Sequence, residues 1–553
     1  VKITDTSDLW WKTSVVYCLD VETYLDHDGD GVGDFAGLAQ RIDYLADLGV
    51  TCLWLMPFYP TADRDDGYDV TDFYGVDPRL GTHGDVVEVI RTARDRGIRV
   101  IVDLVVNHTA DTHPWFVAAR RSRNSRYRDY YVWRDEPPAN NVNTVFPGEE
   151  TTLWELDEKS GQYYLHTFYR HQPDLNIGNP AVRDEIAKTI GFWLQLGISG
   201  FRVDAVPFLI EVPEGEDLAD PHEYLRDLRR FLRRRSREAV LLGEVNLPYK
   251  EQLDYFGDNQ GEELTLQFDF IGMQALYLSL ARSDPRPLAK ALRARPAIAP
   301  EAQWANFVRN HDELTLDKLT DAEREEVFAA FAPDERQRVY GRGITRRLPT
   351  MLGGDPRRIR MVYSLLFSLP GVPVLFYGEE IGMGENPDIL GRTSVRTPMQ
   401  WSDSRNGGFS PAAPSRLTSR PPEGGYAPEH INASQQLNDD ESLLHFIRKL
   451  AARYRISPEI GWGTAELLEH DAPSVLVHSV RADVGRMVAL HNFADEPARV
   501  RLALEDEPEG AELTDLFGPD RLALGPAGRV ELDLPAYGWR WLRVARPGDG
   551  RLG

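Results

Sequence analysis

Cysteine is almost missing from this chain of 553 residues: there are two, Cys18 and Cys52, each inside an apolar run. A disulfide-stapled scaffold is thereby excluded, and two buried thiols in a reducing cytoplasm are expected. Long apolar stretches are lacking too. No run of about 18 apolar residues occurs and no charged-then-apolar leader precedes Leu9, so neither a membrane span nor a secretory signal is expected. Positive charge is in deficit, with 63 Lys and Arg against 87 Asp and Glu, a net −24. Such a field repels phosphate and argues against nucleic acid or an anionic membrane as partner. The dense basic run Arg229–Arg237 mixes Arg with Phe and Leu at helical spacing and is expected as a solvated helix face.

What is present is a globular composition, 42% hydrophobic and 10% aromatic, too rich in Trp, Tyr and Phe for a disordered acidic chain. Short apolar or β-branched runs recur, each followed by an amphipathic helical segment: Val15–Leu19, Cys52–Leu55, Val100–Val105, Gly200–Val203, Val240–Leu242, Leu266–Phe270, Trp304–Val308 and Val374–Tyr377. Runs this continuously apolar suit strands covered on both faces. Repeated strand-plus-helix units of this number predict a (β/α)₈ TIM barrel. The rhythm breaks between the third and fourth runs, where a Tyr/Trp/Asn/Pro-rich stretch is too long for a βα loop and predicts an inserted subdomain at the barrel mouth. From about residue 460 alternating strands between Gly, Pro and Asp turns predict a C-terminal antiparallel β-sandwich. The predicted division is barrel over 1–107 and 177–459, insertion over 108–176 and β domain over 460–546.

Polar residues just past a barrel strand's C-terminal end face the site. Asp65, Asp66 and Tyr68 follow the second run, Asn107 and His108 the third, Glu244 the fifth, and Asn310, His311, Asp312 and Glu313 the seventh; the fourth carries Arg202 and ends at Asp204. One such Asp is explained by helix capping. Several ionisable groups after different strands are not, because capping does not call for Arg and His as well. Paired carboxylates without a Cys nucleophile or a phosphate loop point to glycoside cleavage or transfer, in which one carboxylate attacks the anomeric carbon and another protonates the departing oxygen. Arg202 shares a strand face with Asp204 and is expected to keep it ionised as nucleophile. Glu244, after Leu241 and Leu242, is expected in more apolar surroundings that retain its proton as the acid/base.

The segments Asp103-Leu-Val-Val-Asn-His108, Gly200-Phe-Arg-Val-Asp204, Gly243-Glu244 and Phe307-Val-Arg-Asn-His-Asp312 resemble, in order and spacing, the four signature segments of the α-amylase superfamily, glycoside hydrolase family 13. The resemblance implies a retaining enzyme with Asp204 as nucleophile, Glu244 as acid/base and Asp312 as transition-state stabiliser. It also implies that Asp65, Tyr68, His108, Arg202 and His311 hold the sugar ring. Within the family, Arg64-Asp-Asp-Gly-Tyr68, His171-Gln-Pro-Asp-Leu-Asn176, Asp204-Ala-Val-Pro207 and Val395-Arg-Thr-Pro-Met-Gln-Trp401 resemble the trehalose synthase branch. By that likeness Gln172, Arg392 and Arg396 are substrate contacts or a gate, and the small Ala205 goes with α-1,4 linkages. Gly243-Glu-Val-Asn-Leu-Pro248 and Leu390-Gly-Arg-Thr-Ser-Val395 depart from the branch's pattern on the acceptor side, which leaves an α-glucosidase using water as the alternative.

Asp26-His-Asp28-Gly-Asp30-Gly31-Val32-Gly33-Asp34 alternates oxygen ligands around glycines, like the start of a calcium loop. Related α-glucosidases hold Ca²⁺ or Mg²⁺ there, with Val32 contributing its carbonyl. The trehalose synthase likeness implies a second Ca²⁺ on Asn107, Asp174, Glu211 and the carbonyls of Phe208 and Leu209. Both ions are expected to be structural, with no organic cofactor. The expected partner is a small neutral α-linked disaccharide or oligosaccharide, and a homo-oligomer is left open.

Overall fold

The computed structural model describes residues 9–139, 144–210, 220–257 and 261–548. In chain order, β1 (Val16–Leu19), β2 (Cys52–Leu55) and β3 (Arg99–Leu104) open the barrel, and β4 (Trp133–Arg134), β5 (Trp154–Asp157) and β6 (Gln162–Leu165) form a small antiparallel sheet inserted after β3. The barrel resumes with β7 (Gly200–Val203), β8 (Val240–Gly243), β9 (Leu266–Phe268) and β10 (Gln303–Phe307). A second small sheet, β11 (Leu314–Thr315), β12 (Arg338–Val339) and β13 (Gly343–Ile344), precedes the last barrel strand, β14 (Val372–Phe376). The barrel closes in the order β1-β14-β10-β9-β8-β7-β3-β2, every pair parallel.

Local chemistry explains the elements. Every residue of β1, β2, β7 and β8 is buried, as expected of strands between a packed interior and a helical shell. The helix His83–Asp95 starts at a Thr82/Asp85 capping box and buries Val86, Val89, Ile90 and Ala93 at helical spacing. The helix Pro180–Leu196 starts on the Asn179 cap and stops at Gly197, whose φ of 107° suits glycine.

Two expectations need correction. The run Leu266–Phe270 stops being strand at Phe268, because Asp269 accepts from Gly272 N at 2.8 Å and caps the helix Phe270–Arg282. The basic run is helical to Arg235 but not wholly solvated: Arg229 is buried and donates to the Ala239 carbonyl at 3.1 Å.

The C-terminal domain holds β15 (Thr464–Leu467), β16 (Val475–Ala482), β17 (Gly485–Asn492), β18 (Ala498–Ala503), β19 (Glu512–Asp515), β20 (Arg521–Ala523), β21 (Arg529–Leu534) and β22 (Trp539–Ala545). Six strands form an antiparallel sheet in the order β15-β16-β17-β22-β19-β20, and β18 pairs with β21. Val475, Val488 and Leu490 of the larger sheet share one apolar core with Val500, Leu502 and Leu532 of the smaller, which makes the layers a sandwich. The domain docks on the barrel helix Pro356–Ser368. There Trp541 Nε1 donates to Ser364 Oγ at 3.0 Å, Ser364 Oγ is hydrogen-bonded to His491 Nε2 at 2.9 Å, and His478 Nε2 donates to the Ser368 carbonyl at 2.9 Å. Cys18 and Cys52 are both buried and free. Among the described residues no helix is long and apolar enough to cross a membrane.

Candidate active site

Asp103 on β3 and Arg202 on β7 are Cα partners in the parallel register, so their side chains enter the same layer at the top of the barrel. Arg202 is 1% exposed, a burial that a guanidinium tolerates only when paired. Its Nη1 reaches Asp103 Oδ1 at 2.6 Å and Asp204 Oδ1 at 2.5 Å, and its Nη2 reaches Glu244 Oε2 at 2.6 Å. Trp54 Nε1 donates to the other oxygen of Asp103 at 2.7 Å. One cation thus stands among three carboxyls. Burial, with the charges of Asp103 and Asp312 added, pushes Asp204 up to about 6 against the pull of Arg202. Burial pushes Glu244 further, to about 7, despite the same guanidinium.

This revises the expected division of labour. Arg202 does not serve Asp204 alone, and burial is the leading cause of the raised proton affinity of both carboxyls. Both share the guanidinium, and the difference between them is small. Both carboxyls are raised toward neutrality beside one guanidinium, so a state with a single proton shared between them is accessible near pH 7.

Asp312 is built differently. Burial raises its proton affinity, but His311 first, and then Arg392 and Arg396, more than offset this and hold it well below the usual carboxylate range. Its Oδ1 receives Arg392 Nη1 at 3.1 Å and Arg396 Nη2 at 3.0 Å, and its Oδ2 lies 3.1 Å from His311 Nε2. Arg392 also pairs with Asp65, and Arg396 with Asp66 at 2.5 Å. Gln172 Nε2 donates to Asp65 Oδ2 at 2.7 Å. The Tyr68 ring stacks on His311 with its hydroxyl 2.7 Å from Nε2, and His108 Nε2 donates to the Tyr68 carbonyl at 3.0 Å. Burial lowers both imidazoles to about 4, so they are neutral at pH 7.

Asp65, Tyr68, His108, Asp204, Ala205, Glu244, Asp312 and Arg392 line one cavity of about 530 Å³, a size suited to a small organic ligand. Gln172, Arg202, His311 and Arg396 lie behind its wall and hold the residues that face it. Ala205 has φ 47° and ψ 43°, the left-handed region in which the Cβ of any L-residue crowds the backbone and β-branching adds to the cost. Its N–H donates to Glu244 Oε2 at 3.2 Å. The small residue therefore also suits a tight backbone turn between the two carboxyls, beyond the crowding argument from sequence.

Phe146 and Phe168 of the insertion line the cavity, as do Asn246, Asp317, Lys318 and Arg342. The pattern of polar residues directly after strands does not reach these positions. Phe146 stacks on Tyr169 and supports Arg392, whose guanidinium lies 5.1 Å from its ring centre. Asp103 had a signal, as the first residue of its segment; its role beneath Arg202 required the β3–β7 register.

Among the described residues, oxygens of Asp26, Asp28 and Asp34 all lie within 4.8 Å of one another, an arrangement able to hold a metal ion. Asp30 does not join the cluster; its Oδ1 accepts from Val32 N at 2.8 Å. Gly31 at φ 105° is required, since a Cβ there would collide with the Arg416 carbonyl. At the second expected site Asn107 Nδ2 lies 3.4 Å from Asp174 Oδ1. Phe208 and Leu209 follow β7 in a short helix, and Glu211 lies outside the described residues.

Residues 21–331 and 341–460 match the family described as "Alpha amylase, catalytic domain". The chain belongs to the α-amylase family. Residues 485–543 match a "Sucrose hydrolase-like, C-terminal domain". This α-amylase family chain is 40% identical to the trehalose synthase of Pimelobacter sp. (strain R48), over 97% of its own length and 96% of that protein. It is 30% identical to the oligo-1,6-glucosidase of Parageobacillus thermoglucosidasius, over 89% and 92%. Its fold resembles that of an inactive double mutant of MutB in complex with isomaltulose, with a TM-score of 0.77 and 26% identity over 97% and 99% of the two chains. The chain is a trehalose synthase-like enzyme of the α-amylase family.

Proposed function

We propose that this enzyme interconverts maltose and trehalose by retaining glucosyl transfer. Asp204 attacks the anomeric carbon of the α-glucoside and forms a β-glucosyl-enzyme while Glu244 protonates the departing oxygen. Glu244 then takes the proton of the incoming hydroxyl as that oxygen displaces Asp204. Asp312, kept ionised, binds sugar hydroxyls and stabilises the positive charge of the transition state. Asp65, Tyr68, His108 and Arg392 hold the ring, Ala205 borders the leaving sugar, and Gln172, Arg202, His311 and Arg396 position these groups. The observation that carries the reading is the single guanidinium that binds both Asp204 and Glu244, two cavity carboxyls that burial raises toward neutrality.

The barrel of 1–107 and 177–459 carries these residues except His108 and Gln172, which belong to the insertion of 108–176 that roofs the cavity, and 460–546 is docked behind. Asp26, Asp28 and Asp34 would hold a structural Ca²⁺ or Mg²⁺, and Asn107 and Asp174, with the carbonyls of Phe208 and Leu209, would hold a second Ca²⁺. The two free, buried thiols suit a cytoplasmic enzyme. The substrate is a small neutral α-linked sugar, a reading supported by the isomaltulose held by a protein of like fold.

Incubation with maltose, trehalose and sucrose separately, with every sugar quantified over time, tests the reading. Trehalose from maltose, and maltose from trehalose, with little free glucose is the expected result. Glucose alone would make the protein an α-glucosidase that uses water, a second reading favoured by its likeness to an oligo-1,6-glucosidase.

A further inference from the structure

The turn after β11 brings Asp317 and Lys318 to the wall of the cavity that Asp204 and Glu244 also line. The Asp317 carboxylate gathers four donors. Its Oδ2 accepts from Lys318 Nζ at 2.8 Å; its Oδ1 accepts from Asn246 Nδ2 at 2.9 Å and from Gln274 Nε2 and Thr315 Oγ1, each at 3.1 Å. Three separate pieces of chain meet there: the loop two residues past Glu244, the helix Phe270–Arg282, and the turn itself. The Lys318 N–H closes the knot by donating to Gln274 Oε1 at 2.8 Å. Among the described residues Asn246 Oδ1 is buried without a partner, so the bond to Asp317 sets the orientation of that amide.

An ammonium has three N–H groups. Among the described residues, that of Lys318 bonds only Asp317, and its side chain keeps 26% exposure. Donors are therefore left for the cavity. Since Asp317 already balances the charge, the pair suits a neutral polyhydroxyl ligand better than an anion.

We propose that Lys318 is a contact for the acceptor sugar and that Asp317 is its positioning residue. The ammonium donates to a hydroxyl of the sugar that receives the glucosyl group, and so favours sugar over water as the acceptor. In that step the acceptor oxygen bonds the anomeric carbon, the bond to Asp204 breaks with its electron pair returning to the carboxylate, and the acceptor's proton passes to Glu244. The inference rests on the glucosyl-enzyme reading above and adds the residue that selects the acceptor.

The test uses p-nitrophenyl α-D-glucoside as donor and isotopically labelled glucose as acceptor. Nitrophenol counts every glucosyl-enzyme formed, and labelled disaccharide counts those captured by sugar. In Lys318→Met the disaccharide-to-nitrophenol ratio at fixed glucose falls about tenfold or more, as the loss of a charge-assisted hydrogen bond implies, and half-saturation by glucose moves upward. Lys318→Arg, which keeps the donor, restores most of the ratio. Asp317→Asn lowers it and Asp317→Glu recovers part. An unchanged ratio in Lys318→Met overturns the proposal, and so does a wild type that releases nitrophenol but makes no labelled disaccharide. A wild type that releases no nitrophenol instead fails the glucosyl-enzyme reading, before any variant is compared.

Discussion

Arg202 Nη2 lies 2.6 Å from Glu244 Oε2. Because Nη1 of the same guanidinium holds Asp204, the proton affinities of nucleophile and acid/base are a joint property of the fork. Glu244 must be protonated and Asp204 ionised for the first step. The rate kcat/KM therefore rises as Asp204 loses its proton near 6 and falls as Glu244 loses its proton near 7, a narrow bell whose limbs belong to the coupled pair. In Arg202→Lys a point cation replaces the fork; both limbs move upward and kcat/KM falls by about 100-fold or more. A pH–rate profile of wild type and variant on an aryl α-glucoside checks this. A profile with no acid limb, or one that Arg202→Lys leaves in place, contradicts it.

Ala205→Val places a β-branched side chain at φ 47° beside the acid/base. A cost of about 1–3 kcal/mol in stability is expected from that backbone region, with a lower kcat from a displaced N–H to Glu244. Thermal unfolding and initial rates together check it. Full stability with only a raised KM would mean that the position acts through substrate crowding alone.

His478 and His491 stack 6.1 Å apart between the β domain and the barrel. Burial lowers His478 to about 4 and His491 well below its ordinary value, with His478 adding to the latter. An unfolded histidine titrates near about 6.5. With folded values depressed, the stabilisation is present above about 6.5 and is lost as pH falls toward about 4. Urea unfolding across that window should show the loss, and the His478→Gln/His491→Gln double variant should flatten it while being less stable at pH 7. Parallel curves for the two proteins would refute the assignment.

Ca²⁺ should raise the Tm of chelator-treated protein by linkage, since about 2.7 kcal/mol is gained at a hundredfold excess over Kd. Asp26→Ala removes one of the two buried members of the cluster and should abolish the response. A wild-type Tm indifferent to both Ca²⁺ and Mg²⁺ would leave the loop a turn held by its own backbone bonds.

How much could be read beforehand depended on range. The barrel strands are short, largely apolar runs of three to six residues, a local signal, and the run Leu266–Phe270 ended early where the Asp269 cap took over. Asp204, Glu244 and Asp312 stood out because they follow different strands. The partners of Arg202 were only partly legible, since strand alternation links it to Asp204 while Asp103 and Glu244 come from neighbouring strands. Lys318 and Phe146 escaped entirely. They reach the cavity from a turn and from an insertion whose path no periodicity encodes.

The whole transfer depends on a covalent glucosyl-enzyme at Asp204. Inactivation with 5-fluoro-α-D-glucosyl fluoride, followed by proteolysis and mass spectrometry, tests it most directly. One fluoroglucosyl adduct is expected, on the peptide containing Asp204, and it should disappear as activity returns on adding maltose. An adduct on Glu244 or elsewhere, or normal turnover of maltose by Asp204→Asn, would contradict it.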